Sequence, residues 1–314
     1  MDKKILITGG SGNSARYIAE EFTRINYDVT LFDCITPMQA PIPWKTDLQF
    51  VKGDLLSLAD CMRAITLSKA DTIVHFGAVP YSTDMQPGDR MTQILPEDET
   101  MKVNVMGTYY IMDATRRLGV KKVILGSSVN VLGHCFRISD KPFKVEYLPI
   151  DENHPNRPED TYSLSKLLGE EILKAYSRAY GIKTIAFRLM GIKLPYNADS
   201  YKCDITPEAN PGHKGGLIAT YQYVDARDVA KACVLAAEND SLDDFEVFFL
   251  DTDNVFGEDT RLVVERLYPD IIDMAVNLKG KEGIVSRKKA EEKLGYRPEY
   301  SWRSLYKIVN GGAT

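Results

Sequence analysis

Tyr162 and Lys166 stand four residues apart in Thr161-Tyr162-Ser163-Leu164-Ser165-Lys166, at the head of a stretch with helical patterning. On a helix that spacing places a phenol and an ammonium on one face, a turn apart. A fixed positive charge beside a phenol favours the phenolate. A tyrosine so placed can take a proton from a substrate hydroxyl, or return it, near neutral pH. In isolation such a pair is ordinarily a solvated contact on an exposed helix face. Its meaning therefore depends on what the rest of the chain builds around it.

The chain opens with the apolar run Ile5-Leu6-Ile7-Thr8, the turn Gly9-Gly10-Ser11-Gly12-Asn13-Ser14-Ala15, and a helical pattern from Arg16 to Phe22. A second apolar run, Val29 to Phe32, ends at Asp33. This order reads as a βαβ unit with a glycine-rich first turn. Gly9, Ser11 and Gly12 let main chain approach a pyrophosphate, and the helix start that follows offers free N–H groups and a favourable dipole. Asn13 and Ser14 add polar groups where they can reach the same phosphates. Asp33, at the end of the second strand, can accept hydrogen bonds from both ribose hydroxyls. It would repel a 2′-phosphate, and Cys34-Ile35-Thr36 brings no cation to offset that. The expected dinucleotide is NAD rather than NADP.

With 314 residues the chain is long enough for one large domain or one and a half. Its net charge of −5 and the lack of a basic block argue against nucleic acid as a partner. No apolar run approaches membrane-spanning length, and the first apolar residues read as a strand rather than a leader. Cys34, Cys61, Cys135, Cys203 and Cys233 are scattered and odd in number, as expected of reduced thiols in a cytoplasmic protein. His75, His134, His154 and His213 follow no metal-ligand spacing, so no metal is expected.

Strand-like runs at 5–8, 29–32, 49–51, 72–76, 122–125 and 184–187 alternate with helical stretches at 15–23, 58–65, 100–118, 163–180 and 226–238. Alternation of this kind predicts an α/β fold, a doubly wound parallel sheet of Rossmann type. Two irregular segments, 80–99 and 193–221, interrupt it and are expected to build the substrate side. A strand at 246–250 and helices at 259–267 and 286–294 complete the chain. The expected division is a dinucleotide-binding domain over 1–190 and about 221–250, with a smaller substrate domain over about 191–220 and 251–314, interleaved with it.

Taken in order, these motifs resemble the extended short-chain dehydrogenase/reductases, the NAD-dependent epimerase/dehydratase family. The matching residues are Thr8-Gly9-Gly10-Ser11-Gly12, Asp33, Gly53-Asp54-Leu55, His75-Phe76-Gly77-Ala78, Asn104-Val105-Met106-Gly107-Thr108, Ser127-Ser128 through Gly133, Tyr162 with Lys166, Phe187-Arg188-Leu189, and Tyr223 through Ala230. The resemblance implies three catalytic residues. Ser128 would orient the reacting hydroxyl, Tyr162 would be the acid/base, and Lys166 would bind the nicotinamide ribose and lower the tyrosine pKa. It also implies that Asp54 and Leu55 flank the adenine, and that Gly77, Ala78 and Asn104 lie near the cofactor. A homodimer formed through the helices bearing Asn104 and Tyr162 is implied by the same likeness.

Departures from the family pattern narrow the chemistry. Dehydratases and decarboxylases of the family carry a carboxylate just after the catalytic Ser/Thr, where this chain has Val129 and Asn130. Nucleotide-sugar members usually place an Asn three residues after the Arg of the sixth strand, where this chain has Gly191. The segment from Gly191 to Tyr223 is also shorter than the usual nucleotide-gripping insert. The expectation is an NAD-dependent oxidoreductase of a sugar or sugar acid, closer to uronate or aldose dehydrogenases. A sugar epimerase with retained cofactor is the alternative, and a non-catalytic dinucleotide sensor a third. His134 and Cys135, directly after Gly133, are candidates for substrate contact.

Overall fold

The computed structural model describes residues 3–83, 95–135, 137–139, 141, 143–195, 222–254 and 256–301. Most of both irregular segments, 84–94 and 196–221, lies outside the described residues, with Cys203 and His213. The chain divides into two compact units. The first comprises Met1–Ser127, Asp160–Phe187 and Ala230–Val247; the second comprises Ser128–Glu159, Arg188–Val229 and Phe248–Thr314.

In chain order the main elements begin with β1 (Lys4–Thr8), α1 (Asn13–Arg24), β2 (Asp28–Asp33), β3 (Gln49–Lys52), α2 (Leu58–Ser68) and β4 (Thr72–His75). They continue with α3 (Glu99–Met101), a π turn (Lys102–Met106), α4 (Gly107–Leu118), β5 (Lys122–Ser128), α5 (Thr161–Tyr180) and β6 (Lys183–Leu189). After these come β7 (Gly191–Lys193), β8 (Tyr223–Asp225), α6 (Ala226–Glu238), β9 (Phe245–Leu250) and α7 (Thr260–Leu267).

Seven strands form one sheet in the order β3-β2-β1-β4-β5-β6-β9. Ile5 pairs with Val29 on one side and Thr72 on the other, both in parallel register. Such strands are covered on both faces, so they read as near-continuous apolar runs rather than alternating ones. β4 fits this: Thr72, Ile73, Val74 and His75 are all buried. The helices explain the cover. In α1, Ala15, Ile18, Ala19 and Phe22 form one buried stripe. Right-handed crossovers place α1 on one face of the sheet, while α2, α4 and α5 pack in series on the other. The strand order reverses between β1 and β4, where open α/β sheets hold their ligands.

The structure departs from an uninterrupted helix over 100–118. A π turn at Lys102–Met106 separates α3 from α4. Residue periodicity cannot reveal a single widened turn. The closing helix expected over 286–294 is likewise a short π turn at Ala290–Leu294, ended by Gly295 at φ +75°.

In the second unit β7 and β8 pair in parallel, Gly191 opposite Tyr223. Gln222 grips Val285 at both main-chain groups, accepting from its N–H at 2.8 Å and donating to its carbonyl at 3.2 Å.

Candidate active site

The first turn is built by close main-chain approach. Gly9 has φ +67°, and a Cβ there would lie 2.7 Å from the Cα and N of Gly77. The two strand ends, β1 and β4, therefore touch only because both residues are glycine. Gly12 donates its N–H to the Gly9 carbonyl at 2.8 Å and stands as the N-cap of α1. No side chain caps that helix, and its first turn carries no acid. Asn13 is exposed and Ser14 half-buried at its first two positions. The free N–H groups and the positive end of the dipole suit a phosphate.

Asp33 is held at the edge of this turn. One carboxylate oxygen accepts the Ser11 N–H at 3.1 Å, the other the Ile35 N–H at 3.2 Å. Ser11 is buried and donates its hydroxyl to the Ile35 carbonyl at 2.5 Å. A carboxylate has about four acceptor positions, and with the Cys34 thiol also hydrogen-bonded to it, acceptor capacity remains for a diol hydroxyl. Asp54 is exposed and accepts the Leu56 N–H at 2.9 Å. Leu55 rests against both Gly77 and Gly107, where an added Cβ would come within 2.7 and 3.1 Å of it.

The candidate acid/base pair, Tyr162 and Lys166, stands at the start of α5. Asp160 caps this helix by accepting the Ser163 N–H at 2.9 Å. Tyr162 is half-buried, and the Lys166 ammonium lies 5.7 Å from its ring centroid. Lys166 is only 8 % exposed and donates to the Gly126 carbonyl at 2.9 Å. Burial pulls its pKa down to about 8, which leaves it mostly charged at neutral pH. Gly169 permits the close seat, because a Cβ there would sit 3.2 Å from Leu125 on β5. One turn further along, Glu170 accepts the Ser127 hydroxyl at 2.6 Å, both buried.

Asn104, in the π turn, is 3 % exposed. Its amide oxygen accepts the Val79 N–H at 2.8 Å, and its amide nitrogen donates to the Val79 carbonyl at 3.0 Å and to Ser165 Oγ at 2.9 Å. It fixes main chain just beyond Gly77 and Ala78. With Ala78 and Lys166 it borders a small cavity at the foot of α5.

Ser128 ends β5 and begins the second unit. It is 7 % exposed, and its hydroxyl accepts the Asn130 N–H at 3.1 Å, capping a 3-10 turn over Val129–Leu132. As acceptor there, it keeps its own hydrogen for another partner. His134 is fully buried edge-on to Phe143, with ring centroids 5.9 Å apart, and Cys135 is half-buried. Burial holds the His134 imidazole neutral, its pKa down to about 3. The four described cysteines are free thiols.

Sequence reasoning noted His75 and Thr108 only as parts of motifs, and it assigned nothing to Thr8 or Ser165. All four are buried within the first unit: His75 is hydrogen-bonded to both Thr8 and Thr108, and Ser165 to Asn104 and the Tyr162 carbonyl. The available signal was polar residues placed where a parallel strand or its packed helix should be apolar.

The family model described as NAD dependent epimerase/dehydratase family matches residues 5–250. The chain belongs to this family. Among relatives, the UDP-glucose 4-epimerase of Corynebacterium glutamicum is 22% identical, over 95% of this chain and 92% of that protein. The uronate dehydrogenase of Pseudomonas syringae is 29% identical, over 59% of this chain and 58% of its own. A short-chain dehydrogenase/reductase superfamily protein from Agrobacterium tumefaciens, solved with bound NAD, superposes with a TM-score of 0.68 at 20% identity, covering 98% of this chain and 96% of that one. The family is NAD-dependent, and the uncapped start of α1, the Gly9–Gly77 contact and the oriented Asp33 carboxylate fit that cofactor. Among the described residues no helix is long and apolar enough to cross a membrane.

Proposed function

We propose that this family oxidoreductase is a dehydrogenase. It acts at a secondary alcohol or hemiacetal carbon of a free sugar or sugar acid. The observation that carries this is Gly191. Among the described residues a Cβ there would have no atom within 4 Å, and Gly191 is not among the glycines with positive φ. Neither packing among the described residues nor backbone strain demands glycine at a position where nucleotide-sugar members of the family carry an amide. The side chain is missing although it would fit, as expected of a substrate without a diphosphate to grip. Asn130, in place of a carboxylate, likewise removes the acid or base that elimination needs.

NAD, when bound, supplies the acceptor for the hydride leaving the sugar carbon. The chain's own residues handle the proton and the geometry. Tyr162 takes the hydroxyl proton, its phenolate favoured by the Lys166 ammonium. Ser128 donates to the reacting oxygen. Gly9, Ser11, Gly12, Asn13 and Ser14 seat the pyrophosphate, Asp33 the adenine ribose, Asp54 and Leu55 the adenine, and Gly77, Ala78 and Asn104 the nicotinamide side. The substrate is a sugar, and the chain works as a homodimer.

Incubation with NAD and D-glucuronate or D-galacturonate, followed at 340 nm, tests the proposal. Net NADH formation supports it. Interconversion of UDP-glucose and UDP-galactose without NADH would instead establish a 4-epimerase. That second reading is favoured by the near full-length match to a UDP-glucose 4-epimerase.

A further inference from the structure

We propose that His75 is a positioning residue, the centre of one hydrogen-bond chain that couples the dinucleotide turn to the main chain of Tyr162. The inference deepens the assignment of Tyr162 as proton acceptor and rests on it.

Donor and acceptor accounting fixes the direction of every bond. The Gly77 N–H can only donate, so Thr8 Oγ1 accepts it, at 3.2 Å. The Thr8 hydrogen is then directed to His75 Nδ1, 2.6 Å away. On the far side of the ring the Asn104 carbonyl can only accept, and Thr108 Oγ1 donates to it at 2.6 Å. Thr108 must therefore accept from His75 Nε2, 3.1 Å away. One neutral tautomer meets both demands, with the hydrogen on Nε2 and the lone pair on Nδ1. A second ring proton would confront the Thr8 hydrogen. The side chain of Asn104 carries the connection onward: its amide donates to Ser165, and the Ser165 hydroxyl donates to the Tyr162 carbonyl at 2.8 Å.

Each leg runs donor to hydroxyl to acceptor in one sense, an arrangement in which hydrogen bonds polarise one another. Both ring nitrogens and all three hydroxyls are engaged. The ends of the chain are its point. Gly77 is the residue on which Gly9 packs, and Tyr162 is the acid/base. A buried His and Thr at the ends of two adjacent parallel strands, with a buried Thr on a packed helix, are a poor choice for packing alone, since apolar residues of similar shape would carry no desolvation penalty. Their value lies in fixing two main-chain segments relative to each other, with His75 and the π turn at Asn104 between them.

The test cuts the chain at successive points in the full-length protein. Thr8→Val lies at the turn end, His75→Phe and Thr108→Val in the middle, and Ser165→Ala at the Tyr162 end. NAD affinity is read by calorimetry, and kcat and KM with D-glucuronate. Losing one buried hydrogen bond predicts changes of about tenfold. Thr8→Val should mainly weaken NAD binding, Ser165→Ala should mainly lower kcat, and the middle variants should do both. Thr108→Ser, which keeps the hydroxyl, should restore Thr108→Val to within about twofold. Amide exchange at Val79 should quicken in Thr108→Val and His75→Phe. A uniform loss that tracks melting temperature, with no split between NAD affinity and kcat, overturns the proposal. So does a Thr108→Ser protein as impaired as Thr108→Val. If His75→Phe does not fold, the Thr108 and Ser165 variants decide. If the unaltered protein leaves D-glucuronate untouched, the sugar-acid reading fails, while NAD affinity and Val79 exchange still judge the chain: unchanged values in the middle variants sink it.

Discussion

Helices α1 and α5 solve the same problem in opposite ways. Every helix begins with N–H groups that lack intrahelical partners. In α5 the chain satisfies one of them itself, through the Asp160 carboxylate on the Ser163 N–H. In α1 the N-cap is Gly12, with no side chain to offer and no acid in the first turn. In the proposed mechanism, the closed start belongs to the helix that holds Tyr162 and Lys166 for proton transfer. The open start belongs to the helix whose N–H groups, on the same proposal, would receive the cofactor pyrophosphate. A helix terminus thus reports what its helix is for. An uncapped helix start beside a glycine turn leaves N–H groups for a ligand anion, which is how the proposal reads α1.

The sharpest way to break this comparison is to disable the closed helix chemically without touching its cap. Tyr162→Phe removes the proton acceptor and leaves Asp160 and Lys166 in place. Turnover should drop by about 10²–10⁴-fold with NAD affinity nearly unchanged. Undiminished turnover would remove Tyr162 from the mechanism. Next in size is the reverse experiment, closing the open helix with Gly12→Asp. Gly12 sits at φ −71° and ψ 162°, which any residue adopts, though the new Cβ would meet the Gly9 carbonyl oxygen at 3.0 Å. The carboxylate should cap α1 and repel the pyrophosphate, weakening NAD binding by about tenfold or more with melting temperature held or raised. A variant that binds NAD as tightly as the parent would contradict the open-helix reading. Smaller still is Asp160→Ala. Uncapping α5 should lower unfolding free energy by about 1 kcal/mol, measured by urea titration.

Much of this contrast is legible in the amino-acid sequence. Tyr162 and Lys166 lie at helical spacing, and a strand followed by Gly9-x-x-Gly12 and an acid at Asp33 can be read locally, because each depends on neighbours in sequence. The family motifs imply that Asn104 lies near the cofactor, and the structure places it with Ala78 at the border of a small cavity. Its bonds to Val79 and Ser165 were not legible, since those partners are 25 and 61 positions away. The same holds for Thr8, His75 and Thr108, which only the strand crossovers bring together. The π turn was invisible for a related reason: a helix with one widened turn keeps nearly the same apolar stripe. The segments 80–99 and 193–221 had no period to read, and they are where substrate choice was expected.

The smallest expected effect concerns the link between the two helices. Burial, with the Lys166 charge adding to it, lowers the His75 pKa from an ordinary 6.5 to about 3. Between those values the unfolded chain binds a proton that the folded one refuses. The stability due to neutral His75 is therefore fully present above about pH 6.5 and is lost as pH falls toward 3. His134, also pulled down to about 3, and His154, lowered by burial, contribute with the same sign. For a modest step from pH 7 to 6, each fully buried histidine should cost about 0.7 kcal/mol of unfolding free energy. In His75→Phe one such share should vanish from the pH slope even though absolute stability drops. A slope identical to that of the parent would mean that His75 is not held neutral between Thr8 and Thr108. The coupling of the open helix to the closed one would then have to run through packing alone.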